Sequence, residues 1–310
     1  MITRADVDQA AVRIKGLTRL TPVLEADPGT FPGPVWFKCE FMQHTGTFKA
    51  RGALNRILAS KERGELRPGV GVVVASGGNA GLANAYAAAQ LGVPATVFVP
   101  DSAPAFKVRK LEAIGATVVR GGAEYAMAYE AAIAHAAQTG AVYCHAYDQP
   151  EIAAGAGTVG SELLDQLGGV DTVLVAVGGG GLMAGIAAAV EGHAKVVAVE
   201  PETAPTLHAA LAAGQPVDVA VSGVAADSLG ARSVGGIGFE VAVRTGVESV
   251  LVSDADIVAA RSRLWDEYRL VVEHGAAAAF AALHAGAYTP AAGERVAVIL
   301  CGANTDPATL

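Results

Sequence analysis

The chain is expected to fold as α/β, in two domains with mainly parallel sheets flanked by helices. Three observations predict this. Short β-branched runs alternate with alanine-rich stretches of helical length, the pattern of strands joined by crossover helices. The strand candidates are near-continuous apolar runs, as strands buried on both faces must be. The length of 310 residues, 52% of them hydrophobic, is about twice an ordinary domain and supports two cores.

Taken in order, the start Met1-Ile2-Thr3-Arg4-Ala5-Asp6 lacks the apolar core of a signal peptide and reads as a helix capped by Thr3. Strands are expected at 35–38, 72–75, 96–99, 117–120, 141–143, 172–177, 196–199, 249–252 and 295–300. Helices are expected at 48–60, 80–91, 105–114, 124–139, 152–166, 182–190 and 256–268. No Pro- or Ser-rich linker divides the chain, so the division follows the pattern itself. Residues 1–40 plus 141–310 form a larger domain, and residues 41–140, with three strand–helix units, a smaller one. Ligands in such sheets bind beyond the strands' carboxyl ends, here in the cleft between the domains.

Composition narrows the function classes. The net charge of −8 and the lack of a basic stripe argue against nucleic acid. Cys39, Cys144 and Cys301 are odd in number and far apart, with no CxxC or Cys/His metal spacing. That suits a reducing cytoplasm. Residues 172–190 carry no charge and score as a membrane span, but four glycines sit at their centre. A strand, a loop and a helix account for them better than a spanning helix of about 20 apolar residues.

Four segments carry chemistry. Thr45-Gly46-Thr47-Phe48-Lys49-Ala50-Arg51-Gly52 sets a lysine at a helix start, where unpaired N–H groups and the dipole disfavour an ammonium. The amine becomes a better nucleophile. Ser76-Gly77-Gly78-Asn79-Ala80-Gly81 follows a strand and opens a helix, an anion-binding geometry or an ordinary turn with an Asn cap. Gly178, Gly179, Gly180 and Gly181 let backbone amides approach a phosphate. Read alone, that loop also fits a dinucleotide fingerprint, Gly179-x-Gly181-x-x-Ala184, with Glu200 closing the next strand where a ribose-binding acid would sit. The last strand ends at Cys301-Gly302, which places a thiol at the cleft or in the core. A nucleophilic lysine and a phosphate-cradling loop are what a protein needs to hold pyridoxal phosphate as a Schiff base.

In this order, TGTFKARG, SGGNAG, GGGGLMAG, Val272-Glu273-His274-Gly275-Ala276-Ala277 and the terminal Cys-Gly resemble the fold-type II pyridoxal phosphate enzymes, and within them the serine/threonine dehydratases. The resemblance runs from Thr21-Pro22 to Gly302 and moves the glycine loop from dinucleotide to phosphate. It implies Lys49 as the Schiff-base lysine, Phe48 against the cofactor ring and Asn79 on its 3′-oxygen. Gly178, Gly179, Gly180, Gly181 and Leu182 would hold the phosphate, and Cys301 would face the pyridine nitrogen. Ser76, Gly77 and Gly78, with Thr45, would receive the substrate carboxylate. Lys38 is given no chemistry. A thiol cannot keep the pyridine nitrogen protonated as a carboxylate would, which fits β-elimination better than transamination.

The resemblance further implies an amino-acid substrate, a homodimer and a cation site. Glu200, Ala204 and Thr206, with carbonyls of Leu229 and Ala231, match a metal-binding stretch of the family. A hydroxyl at Thr206, where racemase-like members carry a carboxylate, suits a monovalent ion such as K⁺ better than Mg²⁺ or Ca²⁺. Departures narrow the branch. Racemases of this fold carry serine where Gly77 stands, and cysteine synthases continue the lysine motif with Asp-Arg rather than Ala50-Arg51. The sequence runs about ten residues beyond Cys301, so the regulatory domain of biosynthetic threonine dehydratases, and feedback by isoleucine, are not expected. The expected reaction is dehydration of L-threonine, L-serine or a related amino acid such as 3-hydroxyaspartate. The alternatives are a racemase, an NAD-dependent oxidoreductase and a non-catalytic binding protein. His44 either biases the substrate choice or only shapes the cleft edge.

Overall fold

Parallel strands need crossover connections, and a helix follows nearly every strand of this chain. The computed structural model describes residues 1–309. Its first part runs α1 (Arg4–Arg13), β1 (Val23–Glu25), β2 (Val35–Lys38), α2 (Lys49–Glu62), β3 (Val72–Ala75), α3 (Asn79–Gln90), β4 (Ala95–Val99), α4 (Ala105–Ala113), β5 (Thr117–Arg120), α5 (Tyr125–Thr139) and β6 (Val142–Tyr143). It continues with α6 (Pro150–Leu167), β7 (Thr172–Ala176), α7 (Gly181–Val190), β8 (Lys195–Pro201), α8 (Thr206–Ala213), α9 (Ala226–Leu229), α10 (Gly236–Thr245), β9 (Glu248–Val252), α11 (Asp254–Tyr268), α12 (His274–His284) and β10 (Val296–Ile299). At α1, the Thr3 N–H and hydroxyl both donate to Asp6, 2.8 and 2.7 Å away.

The strands form a six-stranded sheet, β1-β2-β10-β7-β8-β9, and a four-stranded sheet, β5-β4-β3-β6. Every pairing is parallel except β1 with β2 at an edge. The large sheet's core includes Val173, Leu174 and Val175 of β7 and Ala276, Ala277 and Phe280 of α12. The small sheet has α2, α3 and α4 on one face and α5 on the other.

Two differences from the sequence reading have physical causes. The strand at Val142–Tyr143, placed by sequence at the start of the larger domain, pairs with Val72 and Val73 of β3 in the small sheet. Its short apolar stretch finds its ladder there, just beyond the sequence boundary at 141. Strand β1 was not expected: it has three residues, and Leu24 and Glu25 are exposed, so it shows no apolar run. The uncharged stretch at 172–190 is β7, the glycine loop and α7, and no helix among the described residues is long and apolar enough to cross a membrane.

Glycine contacts set the closeness of the helices that carry the site. A Cβ on Gly185 of α7 would lie 2.2 Å from the Ala153 carbonyl of α6, and one on Gly157 would lie 2.5 Å from the Gly185 carbonyl. On the other side of α6, a Cβ on Gly52 of α2 would lie 2.6 Å from the Ile152 carbonyl. The three helices therefore meet backbone to backbone.

A buried ion network locks α2 in place. Arg51 donates twice to Glu40 at 2.8 Å and to both oxygens of Glu162 at 2.7 and 2.8 Å. Lys38 donates to the Glu162 Oε2, which it shares with Arg51, at 2.9 Å and to the Thr21 carbonyl. Lys38, left without chemistry by the sequence reading, is thus a structural ion. Removing one partner of such a network leaves an uncompensated buried charge. Arg51→Leu is expected to destabilise the protein by about 3–5 kcal/mol in urea unfolding, while Arg63→Leu, which removes solvent-screened pairs to Glu65 and Glu151, costs about 1 kcal/mol or less.

Candidate active site

The start of α2 is stitched to the end of β10. The Phe48 N–H donates to the Cys301 carbonyl at 3.0 Å, Ala303 N–H to the Gly46 carbonyl at 2.9 Å, and Thr47 forms a bridge with Gly302. Phe48 is the N-cap and Lys49 the first helical residue. The lysine and the last strand's thiol are therefore brought together by main-chain geometry.

One cleft of about 590 Å³, counted to its open mouth, joins most of the expected residues. Its wall includes Phe48, Lys49, Asn79, Gly178, Gly179, Gly180, Gly181, Leu182, Leu229 and Cys301. The Lys49 amine donates to the Ala146 carbonyl at 2.9 Å and lies 5.0 Å from the Phe48 ring centre. Burial lowers its pKa to about 8, against the opposing pull of Cys301 and Glu273. Loss of hydration, more than the helix end invoked from sequence, is the leading cause. Burial pushes the Cys301 thiol far up, so it stays protonated.

The glycine loop crosses from β7 to α7. The N–H groups of Gly179, Gly180, Gly181 and Leu182 donate to no protein acceptor among the described residues. They are the orphan donors of a helix start, directed by Gly180 in the left-handed region at φ +85°. A phosphate fits this donor set. Tyr147 packs against the loop, since a Cβ on Gly179 would lie 2.3 Å from its ring. Any side chain at Gly179 must displace that ring.

Thr45, Ser76, Gly77 and Gly78 are not on the cleft wall. Ser76, Gly77 and Gly78 lead directly into Asn79, the first residue of α3, which is on the wall. Gly78 N–H donates to the Ser76 hydroxyl at 3.2 Å. A side chain at Gly77 would touch Val99 at 3.3 Å. Thr45 adopts a left-handed backbone at φ +63°, strained for a β-branched residue, and its buried hydroxyl has no partner. His44 stacks on Tyr86, with ring centres 4.7 Å apart.

Behind the loop, Glu200 accepts from the Leu207 and His208 N–H groups at 2.7 and 2.8 Å, at the start of α8. The Thr206 hydroxyl lies 2.5 Å from the Gly178 carbonyl and 3.0 Å from Glu200. Ala204 is fully buried, and its carbonyl accepts the Thr206 N–H at 3.1 Å. Leu229 backs Gly178, which has only 3.0 Å of room for a Cβ on that side. Ala231 is half-buried two residues further on. Among the described residues no group of three or more His, Cys, Asp or Glu side chains could hold a metal ion.

Sequence reasoning missed Glu273 and Tyr147. Glu273 is buried, receives the Asn79 side-chain amide at 2.9 Å, and lies across the cleft wall from Lys49. Its sequence signal was a lone carboxylate directly before an apolar helix. Tyr147 gives no such signal, because its role depends on a loop packed from elsewhere. Burial raises the Glu273 pKa to about 7. Between the ordinary value of 4.5 and 7 the folded chain keeps a proton that the unfolded chain releases. Stability therefore falls as pH rises through this window and stays lowered above it. Glu273→Gln cannot ionise. Urea unfolding of cofactor-free protein is expected to show it more stable than the parent by roughly 3 kcal/mol at pH 8 and no more stable at pH 4.5.

Known proteins resemble this chain over most of its length. An L-threonine ammonia-lyase from Geobacter sulfurreducens is 40% identical over 280 residues, 89% of this chain and 69% of that protein. Phenylserine dehydratase from Ralstonia pickettii is 38% identical over 303 residues, 96% of this chain and 91% of that one. A solved threonine deaminase from T.th. superposes with a TM-score of 0.89 at 35% identity, covering 98% of this chain and 99% of that one. Residues 14–302 match the family described as pyridoxal-phosphate dependent enzyme. On a match of that extent, the chain belongs to the pyridoxal-phosphate dependent enzymes.

Proposed function

We propose that this protein is a lyase that converts L-threonine, L-serine or both into a 2-oxo acid and ammonia by β-elimination. The observation that carries this is the single cleft in which a depressed lysine amine faces a loop of unsatisfied N–H donors. Relatives named as ammonia-lyases and dehydratases support it. Glu200, the acid of the dinucleotide reading, is engaged at the start of α8, which weighs against a ribose-binding role.

Pyridoxal phosphate, when bound, supplies the electron sink that lets an amino acid's Cα–H bond ionise. In this reading the residues divide the remaining work. Lys49 anchors the cofactor covalently and, once freed, takes the Cα proton; an amine near pKa 8 is poised for both roles at neutral pH. The N–H groups of Gly179, Gly180, Gly181 and Leu182 bind the phosphate, with Gly178 continuing the loop. Phe48 would pack against the cofactor ring, and the Asn79 amide, now on Glu273, would be available to its ring oxygen. The neutral Cys301 thiol would face the pyridine nitrogen and offer it no carboxylate to hold a proton. Ser76, Gly77, Gly78 and the unpartnered Thr45 hydroxyl receive the substrate carboxylate. Lys49 would return the Cα proton to the β-hydroxyl, which leaves as water; the released enamine would tautomerise to an imine, and water would hydrolyse that to the 2-oxo acid and ammonia. With glycine at 77, Lys49 has no hydroxyl partner for the opposite face of Cα, which supports elimination over racemisation.

A K⁺ ion at Glu200, Thr206 and the carbonyls of Ala204, Leu229 and Ala231 is the second part of the reading. It is supported by one hydroxyl proton on Thr206 lying against two oxygens, a contact that a weakly charged cation would relieve. The resemblance also supports a homodimer, and the three unpaired cysteines support a cytoplasmic setting.

The test is 2-oxo acid release from L-threonine and L-serine. The parent protein is expected to release it, and Lys49→Ala to lose about 10²–10⁴-fold or more. Cofactor absorption that Lys49→Ala changes, without release by the parent, sinks the lyase reading while sparing the cofactor site. Equal rates in K⁺ and Na⁺ sink the cation.

A further inference from the structure

A second, smaller cavity lies behind Lys49. Its wall shares Phe48, Lys49, Ile152, Ala146 and Ala156 with the main cleft. Apart from Lys49, its polar side chains are those of Asn84 and His145. Asn84, on α3, is 2% exposed and does not face solvent. Its amide nitrogen donates back to the Ala80 carbonyl at 2.9 Å, which settles which end of the side chain is which. Its Oδ1 is buried and accepts no hydrogen bond. A buried orphan acceptor calls for a donor or a bridging water.

His145 cannot fill the same role. Its Nδ1 accepts from the N–H groups of Tyr147 and Asp148 at 3.2 and 2.9 Å, so its proton sits on Nε2. Burial lowers its pKa, and it remains neutral. It presents a donor, not an acceptor. The Lys49 amine carries up to three hydrogens and has one partner, the Ala146 carbonyl on the shared wall. Donors in excess and one unmet side-chain acceptor thus line the same cavity.

We propose that this cavity seats the free amine of Lys49 whenever it is not bonded to the cofactor, with one water bridging the amine to the Asn84 Oδ1. Asn84 is then a positioning residue: it stabilises the displaced lysine and holds the base on the side of the cleft from which it acts. The inference rests on the assignment of Lys49 under the proposed function.

The test titrates the cofactor-loaded enzyme with glycine, which has no β-leaving group, and follows the cofactor's absorption. Asn84→Leu, of similar volume but with no acceptor, is expected to require about tenfold more glycine for half-displacement of the lysine. Asn84→Ala serves as the second variant, with the same expectation. Asn84→Asp, which keeps an oxygen, is expected to require no more glycine than the parent. A second readout uses the cofactor-free protein. The pH at which Lys49 becomes half-reactive toward trinitrobenzenesulfonate, read by peptide mass spectrometry, should fall from about 8 by about one pH unit in Asn84→Leu. Cys301, Glu273 and His145, the other titratable groups around the amine, are unchanged in these variants. Titrations of Asn84→Leu and Asn84→Ala that match the parent, or Asn84→Asp as impaired as Asn84→Leu, overturn the proposal. If Lys49→Ala leaves the cofactor's absorption unaltered, the assignment of Lys49 fails instead.

Discussion

The site depends on the stitching of one turn to the end of one strand. Strand β10 lies near the middle of the large sheet, and its carboxyl end holds the turn before α2 through the Phe48, Cys301, Gly46 and Ala303 main-chain bonds. The same end accepts the Glu273 N–H at Gly302. A Cβ at Gly302 would lie 2.4 Å from a Glu273 carboxylate oxygen, so a larger residue there would push that side chain aside. Lysine, thiol and carboxylate thus take their positions from backbone geometry, which is stiffer than any side-chain contact. The ion network around Arg51, two residues past the lysine, fixes the helix from its other side.

Burial then sets the chemistry of this cluster. Lys49 and Glu273 are both pushed toward their neutral forms by loss of water, in opposite directions on the pH scale. The interior of the cleft is therefore poor in net charge near neutrality, despite a lysine and a glutamate on its wall. A dianionic ligand entering it meets oriented amide dipoles at the glycine loop beside a lysine that, with a pKa of about 8, gives up its proton far more readily than an exposed one.

Much of this was legible in the sequence because period and punctuation carry it. The βα units, the lysine at a helix start and the glycine loop are local patterns, and the structure has them within a residue or two. Cys301 was open between core and cleft, and it is both: it is buried, and it lines the cleft. What stayed illegible is what distant segments do to each other. Glu273 meets Asn79 across 194 residues, and Tyr147 covers Gly179 from a loop with no pattern of its own. Strand β6 joins the small sheet on two residues, too few to declare a partner. The strain at Thr45 comes from its turn's tertiary setting and has no signature in composition.

The backbone-to-backbone meeting of α2, α6 and α7 also bears on how such a protein can change. With Gly52, Gly157 and Gly185 at the crossings, no side chain there can be enlarged to reshape the cleft from behind. A side-chain contact is freer: the His44–Gly46 turn and the half-buried Tyr86 of α3 meet through a stacked ring pair. Change is therefore open where ring meets ring, while the side walled by these glycines is frozen by geometry. The fold separates the part that can drift from the part that must hold still.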